Sequence, residues 1–378
     1  MRYRTTQPFF SEREIASVLS DTAELLRSGG PLSMASNVER FESAFAEVNG
    51  SEYAVATNSC TSALETVLTA LQLRDGDEVL VPAQTFIATA SSVARVGATP
   101  VFCEVDENFL LDIDALGEHI TPRTRAVILV HFAGLIHQRV ADFHGALKEL
   151  GLTLITDAAH AHGAHVAGTP AGAVGDVACF SFYSSKIVSA GEGGMITTSD
   201  AALADRCRSL RSRGLDLQSE EEVYSSLGTN SRMTEIQAIL GLHQLSGLTD
   251  RTVHRNKVAD RYTEELQPLV DSGVLRLLPA AEGSRHAYWR FVAVLSPDAG
   301  LDREQLKHRL GEEGIAIDWP YQPLVHLQPV MRQLFGTRPG QLPRSEALAE
   351  QHFCLPMHSR ISLDDARVIA SAVVSAVE

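Results

Sequence analysis

One short stretch concentrates chemistry that the rest of the chain does not offer. Ser181-Phe182-Tyr183-Ser184-Ser185-Lys186 is followed by Gly191-Glu192-Gly193-Gly194, so a lysine sits among small and hydroxylic residues. The chain has only four lysines, Lys148, Lys186, Lys257 and Lys307. Its other strong bases are arginines, which stay protonated and cannot act as amine nucleophiles. A lysine amine that attacks a carbonyl must be neutral, which a tight, desolvated site provides. The alternative for Lys186 is an ordinary solvated loop lysine, and the flanking Ser184, Ser185 and glycines weigh against it. Asp157 ends the apolar run Leu152-Thr-Leu-Ile-Thr, 29 residues earlier. It either holds a cationic ring nitrogen or caps the next helix.

A carbonyl cofactor bound by lysine, with an acid on a ring nitrogen, describes pyridoxal 5'-phosphate (PLP). Two further parts are then needed. A phosphate cradle is offered by Asn58-Ser59-Cys60-Thr61-Ser62-Ala63-Leu64, a strand-to-helix junction where free N–H groups meet hydroxyls; a plain helix cap is the competing reading. Ser181 is a second hydroxyl near the lysine. A ring-stacking surface is offered by Phe86, which otherwise reads as a core phenylalanine. His160 and His162 flank Asp157, with His160 expected at the cofactor and His162 structural. No carboxylate or cysteine spacing makes them a metal site.

The elements that must position these residues follow from patterning. Apolar runs at Tyr53–Ala56, Glu78–Val81, Thr99–Cys103, Ala126–Val130, Leu152–Thr156, Val177–Phe182 and Gly194–Thr197 alternate with helical stretches at Thr61–Leu73, Ile87–Val96 and Val140–Leu150. That alternation predicts a mainly parallel α/β sheet of seven strands, covered on both faces. Helices are expected over Met233–Leu248 and about Asp250–Leu266, with a boundary at Pro268 and Gly273. A strand near Trp289–Leu295 and helices near Asp302–Glu313 and Leu363–Val377 complete a smaller α/β part. Trp319–Pro343, with five prolines, reads as a long loop. The expected division is a large domain over 1–250, including the N-terminal segment, and a linking helix with a small domain over 251–378.

Composition narrows the class. With 378 residues, 44% hydrophobic and 21% charged, the chain has the make-up of a globular enzyme. A net charge of −15 argues against nucleic acid and anionic membranes as partners. Five scattered cysteines without CxxC spacing point to a reducing cytoplasm rather than a disulfide framework. Met1–Phe10 shows no secretory h-region, and no apolar run approaches the roughly 20 residues that span a bilayer.

Six motifs in order resemble the DegT-type aminotransferases, the sugar and aminocyclitol branch of the fold-type I PLP enzymes. They are Asn58–Leu64, Pro82–Thr89, Asp157-Ala-Ala-His-Ala-His-Gly163, Phe180–Lys186, Gly191–Gly194 and Gly228-Thr-Asn-Ser-Arg-Met-Thr-Glu235. The resemblance implies a fold-type I transferase that is homodimeric, with shared active sites. Lys186 would carry the cofactor covalently and move protons, and Asp157 would pair with the pyridine nitrogen. His160 would stand near the phenolic oxygen, where many relatives have glutamine. Thr61, Ser62 and Ser181 would bind phosphate beside Cys60, and Phe86 would stack on the ring. Asn230 would reach the phosphate in the neighbouring subunit. Leu32, Tyr183, Trp319, Tyr321 and His326 are the candidate substrate contacts.

The chain departs from the family pattern in three places. Cys60 stands where glycine is frequent. Asp318-Trp319-Pro320-Tyr321 replaces a histidine–tyrosine pair, and Gly30-Pro31-Leu32 replaces an aromatic residue. His131–Leu135, Ala159–His162 and Ala190–Gly194 look like the aminocyclitol branch, while His326–Pro329 looks like the nucleotide-sugar branch. The implied reaction moves an amine from L-glutamate or L-glutamine to a ketone of a sugar or cyclitol. Its rivals are a dehydratase, in which relatives replace the lysine by histidine, a decarboxylase or aldolase on a related fold, and a non-catalytic relative, which would have lost Lys186 or Asp157.

Overall fold

The computed structural model describes residues 1–278, 280 and 283–377. Helices α1 (Glu12–Ser28) and α2 (Ser36–Asn49) lead into β1 (Tyr53–Thr57), α3 (Cys60–Ala70), β2 (Glu78–Pro82), α4 (Ile87–Arg95) and β3 (Thr99–Cys103). Then come β4 (Thr124–Val130), α5 (Val140–Glu149), β5 (Thr153–Asp157) and the two-residue strands β6 (His165–Val166) and β7 (Thr169–Pro170). They are followed by β8 (Val177–Ser181), β9 (Gly194–Thr198), α6 (Ala201–Arg211), α7 (Glu235–Ser246) and α8 (Leu248–Asp271). The remainder holds β10 (Leu275–Leu277), β11 (Phe291–Leu295), α9 (Arg303–Glu312), α10 (Pro329–Phe335), α11 (Pro343–Gln351), β12 (His352–Leu355) and α12 (Leu363–Val377).

Seven strands form one sheet in the order β1-β9-β8-β5-β4-β2-β3. All neighbours are parallel except β9, which runs antiparallel to both β1 and β8. The apolar runs become continuous strands because helices cover both faces. The pleat sorts their side chains by parity: Leu80, Val127 and Leu129 join α2 residues Phe41 and Phe45 on one face. Val79, Val81, Ala126 and Ile128 join α3 residues Leu64 and Val67 on the other. A separate three-stranded sheet, β10-β11-β12, packs with α8, α9 and α12 around Tyr262, Phe291 and Phe353.

Three expectations are corrected. α8 continues past Pro268 to Asp271, because a proline one turn from the end breaks only one ladder bond there. The proline-rich stretch is not a plain loop, since it contains α10, which starts at Pro329 where the missing N–H costs nothing. The first residues join the C-terminal core rather than the large sheet. Tyr3 bridges Ile315, and its hydroxyl donates to Asp365 Oδ1 at 3.0 Å.

Candidate active site

Parallel strands that end together leave a crevice at their carboxyl ends. Here β1, β2, β5 and β8 deliver Asn58, Phe86, Asp157 and Ser181 to one edge. A cavity of about 490 Å³ opens there. It is lined by Cys60, Thr61, Phe86, Asp157, His160, Ser181, Tyr183, Lys186 and Tyr321 among others. A larger recess of about 740 Å³ beside Asp106 and Arg344 has no lysine in its lining and shares no residue with this cavity.

Each floor residue is held by local chemistry. Ser59 caps α3, its hydroxyl accepting from the Ser62 N–H at 3.1 Å, and the Ser62 hydroxyl donates to Asn58 Oδ1 at 2.5 Å. The Asn58 N–H donates to the Ser231 carbonyl at 2.8 Å, tying the turn to the residues before α7. Gly194 lies so close that an added Cβ would stand 2.3 Å from the Ser59 oxygen, so only glycine allows β9 to pass here. The first N–H groups of a helix have no ladder partner, a feature that suits this junction to an anion.

Asp157 is buried. Its Oδ2 accepts from the Thr89 hydroxyl at 2.8 Å and Oδ1 from the Ala159 N–H at 3.2 Å. Thr85 and Thr89 hydroxyls are themselves 2.7 Å apart. Burial raises the carboxyl's pKa; the Thr89 and Ala159 bonds and the nearby Lys186 oppose it. Lys186 follows β8, with its amine 4.3 Å from the Trp289 ring centre. Desolvation pulls its pKa from 10.5 to about 8 against the attraction of Asp157. The amine is therefore partly neutral near neutrality, which a Schiff-base lysine requires.

His160 is buried and stacks on Trp289 at 3.7 Å and 8°. Its Nε2 lies 2.7 Å from the Tyr321 hydroxyl. Burial and Lys186 hold its pKa well below the ordinary imidazole value, so the ring is neutral. Phe86 is half exposed, tilted 5.7 Å from the Tyr321 ring. The Ser181 hydroxyl accepts from the Tyr183 N–H at 3.3 Å. Burial pushes the Cys60 thiol well up, so it is no nucleophile. His162 is buried against Phe45, Phe180 and Phe182, away from the cavity lining.

Five sequence candidates lie outside the cavity lining. Ser62 supports the cradle from behind. Asn230 is exposed, and only its carbonyl meets Asn58, at 3.4 Å from Nδ2. Leu32 is exposed, its carbonyl bound to the Glu235 N–H at 3.0 Å. Trp319 packs under Arg303 and Lys307 at 4.5 and 4.6 Å. His326 is fully buried with Nε2 3.1 Å from Glu346. Conversely, Glu192, Trp289 and Arg290 line the site and Thr89 holds Asp157 from behind it, and none of the four had a role in the sequence reading. Signals existed for three of them. Thr85 and Thr89 are hydroxyls four apart at a helix start, Trp289 is one of two tryptophans, and Arg290 interrupts an apolar run.

A doubly covered, mainly parallel sheet with a buried acid, a desolvated amine and a helix start at one edge defines a PLP-dependent transferase. The chain belongs to the DegT/DnrJ/EryC1/StrS aminotransferase family, which matches residues 13–374. It is 35% identical over 97% of its length, and 95% of the relative's, to the spore coat polysaccharide biosynthesis protein SpsC of Bacillus subtilis. It is 37% identical to the GDP-perosamine synthase of Caulobacter vibrioides, covering 88% of each chain. The crystal structure of DesI in the presence of its TDP-sugar product superposes with a TM-score of 0.89 at 31% identity, over 100% of this chain and 93% of that one. The protein is accordingly a PLP-dependent aminotransferase in a family of sugar aminotransferases. Among the described residues no helix is long and apolar enough to cross a membrane.

Proposed function

We propose that this enzyme takes the amine of L-glutamate or L-glutamine and passes it to a ketone on a sugar, nucleotide-linked, or on a cyclitol, in two half-reactions through pyridoxamine phosphate. The observation that carries this is the Lys186 amine, brought to a pKa of about 8 by burial in the cavity that Asp157 and the α3 start also line. When bound, PLP supplies an electron sink for the charge left at the amine-bearing carbon. Asp157, held by Thr89 and the Ala159 N–H, keeps a negative charge for the ring nitrogen. Thr61, the N–H groups at α3 and Ser181 would hold the phosphate, with Cys60 beside them. Neutral His160, oriented by Tyr321, accepts or donates at the phenolic oxygen. Phe86 closes one face. Lys186 Nζ, in its neutral form, would remove the proton at the reacting carbon and return it.

Asn230, exposed and held by its own backbone, belongs in this reading to a second copy's phosphate site, which makes a homodimer the active form. Relatives named for GDP- and TDP-sugar chemistry favour a nucleotide-linked acceptor. Borohydride reduction of the holoenzyme and peptide mapping test the assignment. The reduced cofactor is expected on Lys186; label on Lys148, Lys257 or Lys307 would refute it. A panel of keto sugars and keto cyclitols given to the pyridoxamine form then identifies the acceptor.

A further inference from the structure

Arg290 enters the cavity at the head of β11, and nothing in the cofactor machinery uses it. It is 7% exposed. Its Nη2 donates to Asp318 Oδ2 at 3.2 Å, and its guanidinium lies 4.3 Å from the Trp289 ring centre. Nε and Nη1 are buried and have no partner among the described residues. Asp318 Oδ1 is likewise buried and unpaired, so the two groups meet through one bond rather than two. A buried donor left unsatisfied is costly, and a planar guanidinium with free N–H groups matches a carboxylate. The start of α3, which lines the same cavity, already offers the cofactor's own anion a place.

We infer that Arg290 is a carboxylate subsite: its free N–H groups take a substrate carboxylate while Trp289 supports the guanidinium face and Asp318 anchors one edge. This rests on the aminotransferase reading above and adds to it a requirement for an anionic substrate group. The carboxylate has two sources, the amino donor or an acid group on the acceptor ketone.

Calorimetric titration of the holoenzyme with glutarate, a dicarboxylate without an amine, tests the subsite. Arg290→Gln is expected to weaken glutarate binding by about 10- to 100-fold, the loss of one or two charge-assisted bonds, and to leave binding of its neutral dimethyl ester unchanged. Asp318→Asn, which frees the remaining edge, is expected to tighten glutarate severalfold, and it carries the test if Arg290→Gln does not fold. Unchanged glutarate affinity in the variants, or equal losses for glutarate and its ester, would overturn the proposal. Steady-state kinetics then locates the source. A raised KM for L-glutamate alone assigns the carboxylate to the donor, and a raised KM for the ketone alone assigns it to the acceptor. The titration needs no turnover, so glutarate binding through Arg290 in a protein that aminates no ketone would sink the proposed reaction and leave the subsite standing.

Discussion

The floor and the roof of the cavity are built in different ways. The floor comes from strand ends and the residues just after them: Ser59–Thr61, Thr85–Phe86, Asp157–His160 and Ser181–Lys186. Some of its polar atoms are satisfied by near neighbours, as Ser59 with Ser62 and Asp157 with Ala159, while Thr89 and Ser231 reach Asp157 and Asn58 from further along the chain. The roof is carried by Trp289, Arg290 and Tyr321, all from the C-terminal part. It is fastened by contacts of long sequence separation. The Trp289 N–H donates to the Ala133 carbonyl at 2.8 Å and Nε1 to the Ser185 carbonyl at 3.0 Å, while Gln84 Nε2 donates to the Pro320 carbonyl at 3.1 Å. In the proposed reaction the floor supplies the chemistry and the roof contributes to binding. Changes in the floor should therefore abolish the reaction, and changes in the roof should alter affinity and stability.

The sharpest way to break this contrast is at the amine. Lys186→Ala should lower amine transfer from L-glutamate by at least about 10³-fold, within the range for losing a positioned acid–base group, with cofactor still retained by the cradle. Stopped-flow half-reactions measure it; near-normal turnover would move the chemistry elsewhere.

The next test uses pH. In the cofactor-free protein Lys186 should be acylated with a half-maximal rate near pH 8, because its pKa is lowered from 10.5 to about 8. At that pH it should react roughly 10²-fold faster than an ordinary lysine would by its neutral fraction alone. The sign is that of a depressed base. The buried amine disfavours its proton, so this site destabilises the cofactor-free fold below pH 8, and the cost fades as pH rises from about 8 towards 10.5. Mass-spectrometric labelling across pH checks this, and a midpoint near 10.5 would show a solvated lysine.

A smaller effect is expected one step behind the floor. Thr89→Val removes the hydroxyl bound to Asp157 Oδ2 and should reduce kcat about 10-fold, the value of one bond to a charged group. The cofactor's apparent affinity, read by dialysis, should fall with it, because the carboxyl pKa rises further once that bond is gone. The roof should respond least in rate. Tyr321→Phe leaves His160 Nε2 without its partner and should cost about 1–3 kcal/mol of stability, with kcat changed only severalfold. Thermal unfolding and kinetics together separate the two, and a loss of rate rivalling Lys186→Ala would place Tyr321 on the floor after all.

The seven-stranded sheet, with strand limits close to those found, was legible because buried parallel strands write themselves as apolar runs between helices. Lys186, Asp157 and the α3 junction were legible for a related reason: a strand end, a cap and a glycine-bounded loop are local events. The contents of the roof were not. Trp319 and Tyr321 flank the same proline, and spacing alone made both candidates. Tyr321 takes a left-handed backbone, φ 69°, uncommon for a bulky residue. It points inward to His160, while Trp319 packs outward on Arg303 and Lys307. Leu32 and His326 fail as cavity residues in the same way, since each finds its partner in a contact that only the packed chain creates. Thr89 was inside a recognised motif, yet its bond to an aspartate 68 residues away needs β2 and β5 brought to one edge of the sheet. Periodicity and capping act over a few residues and can be read from them. The side chains that meet across 100 residues or more are chosen by how the two sheets pack, and only the folded chain decides that.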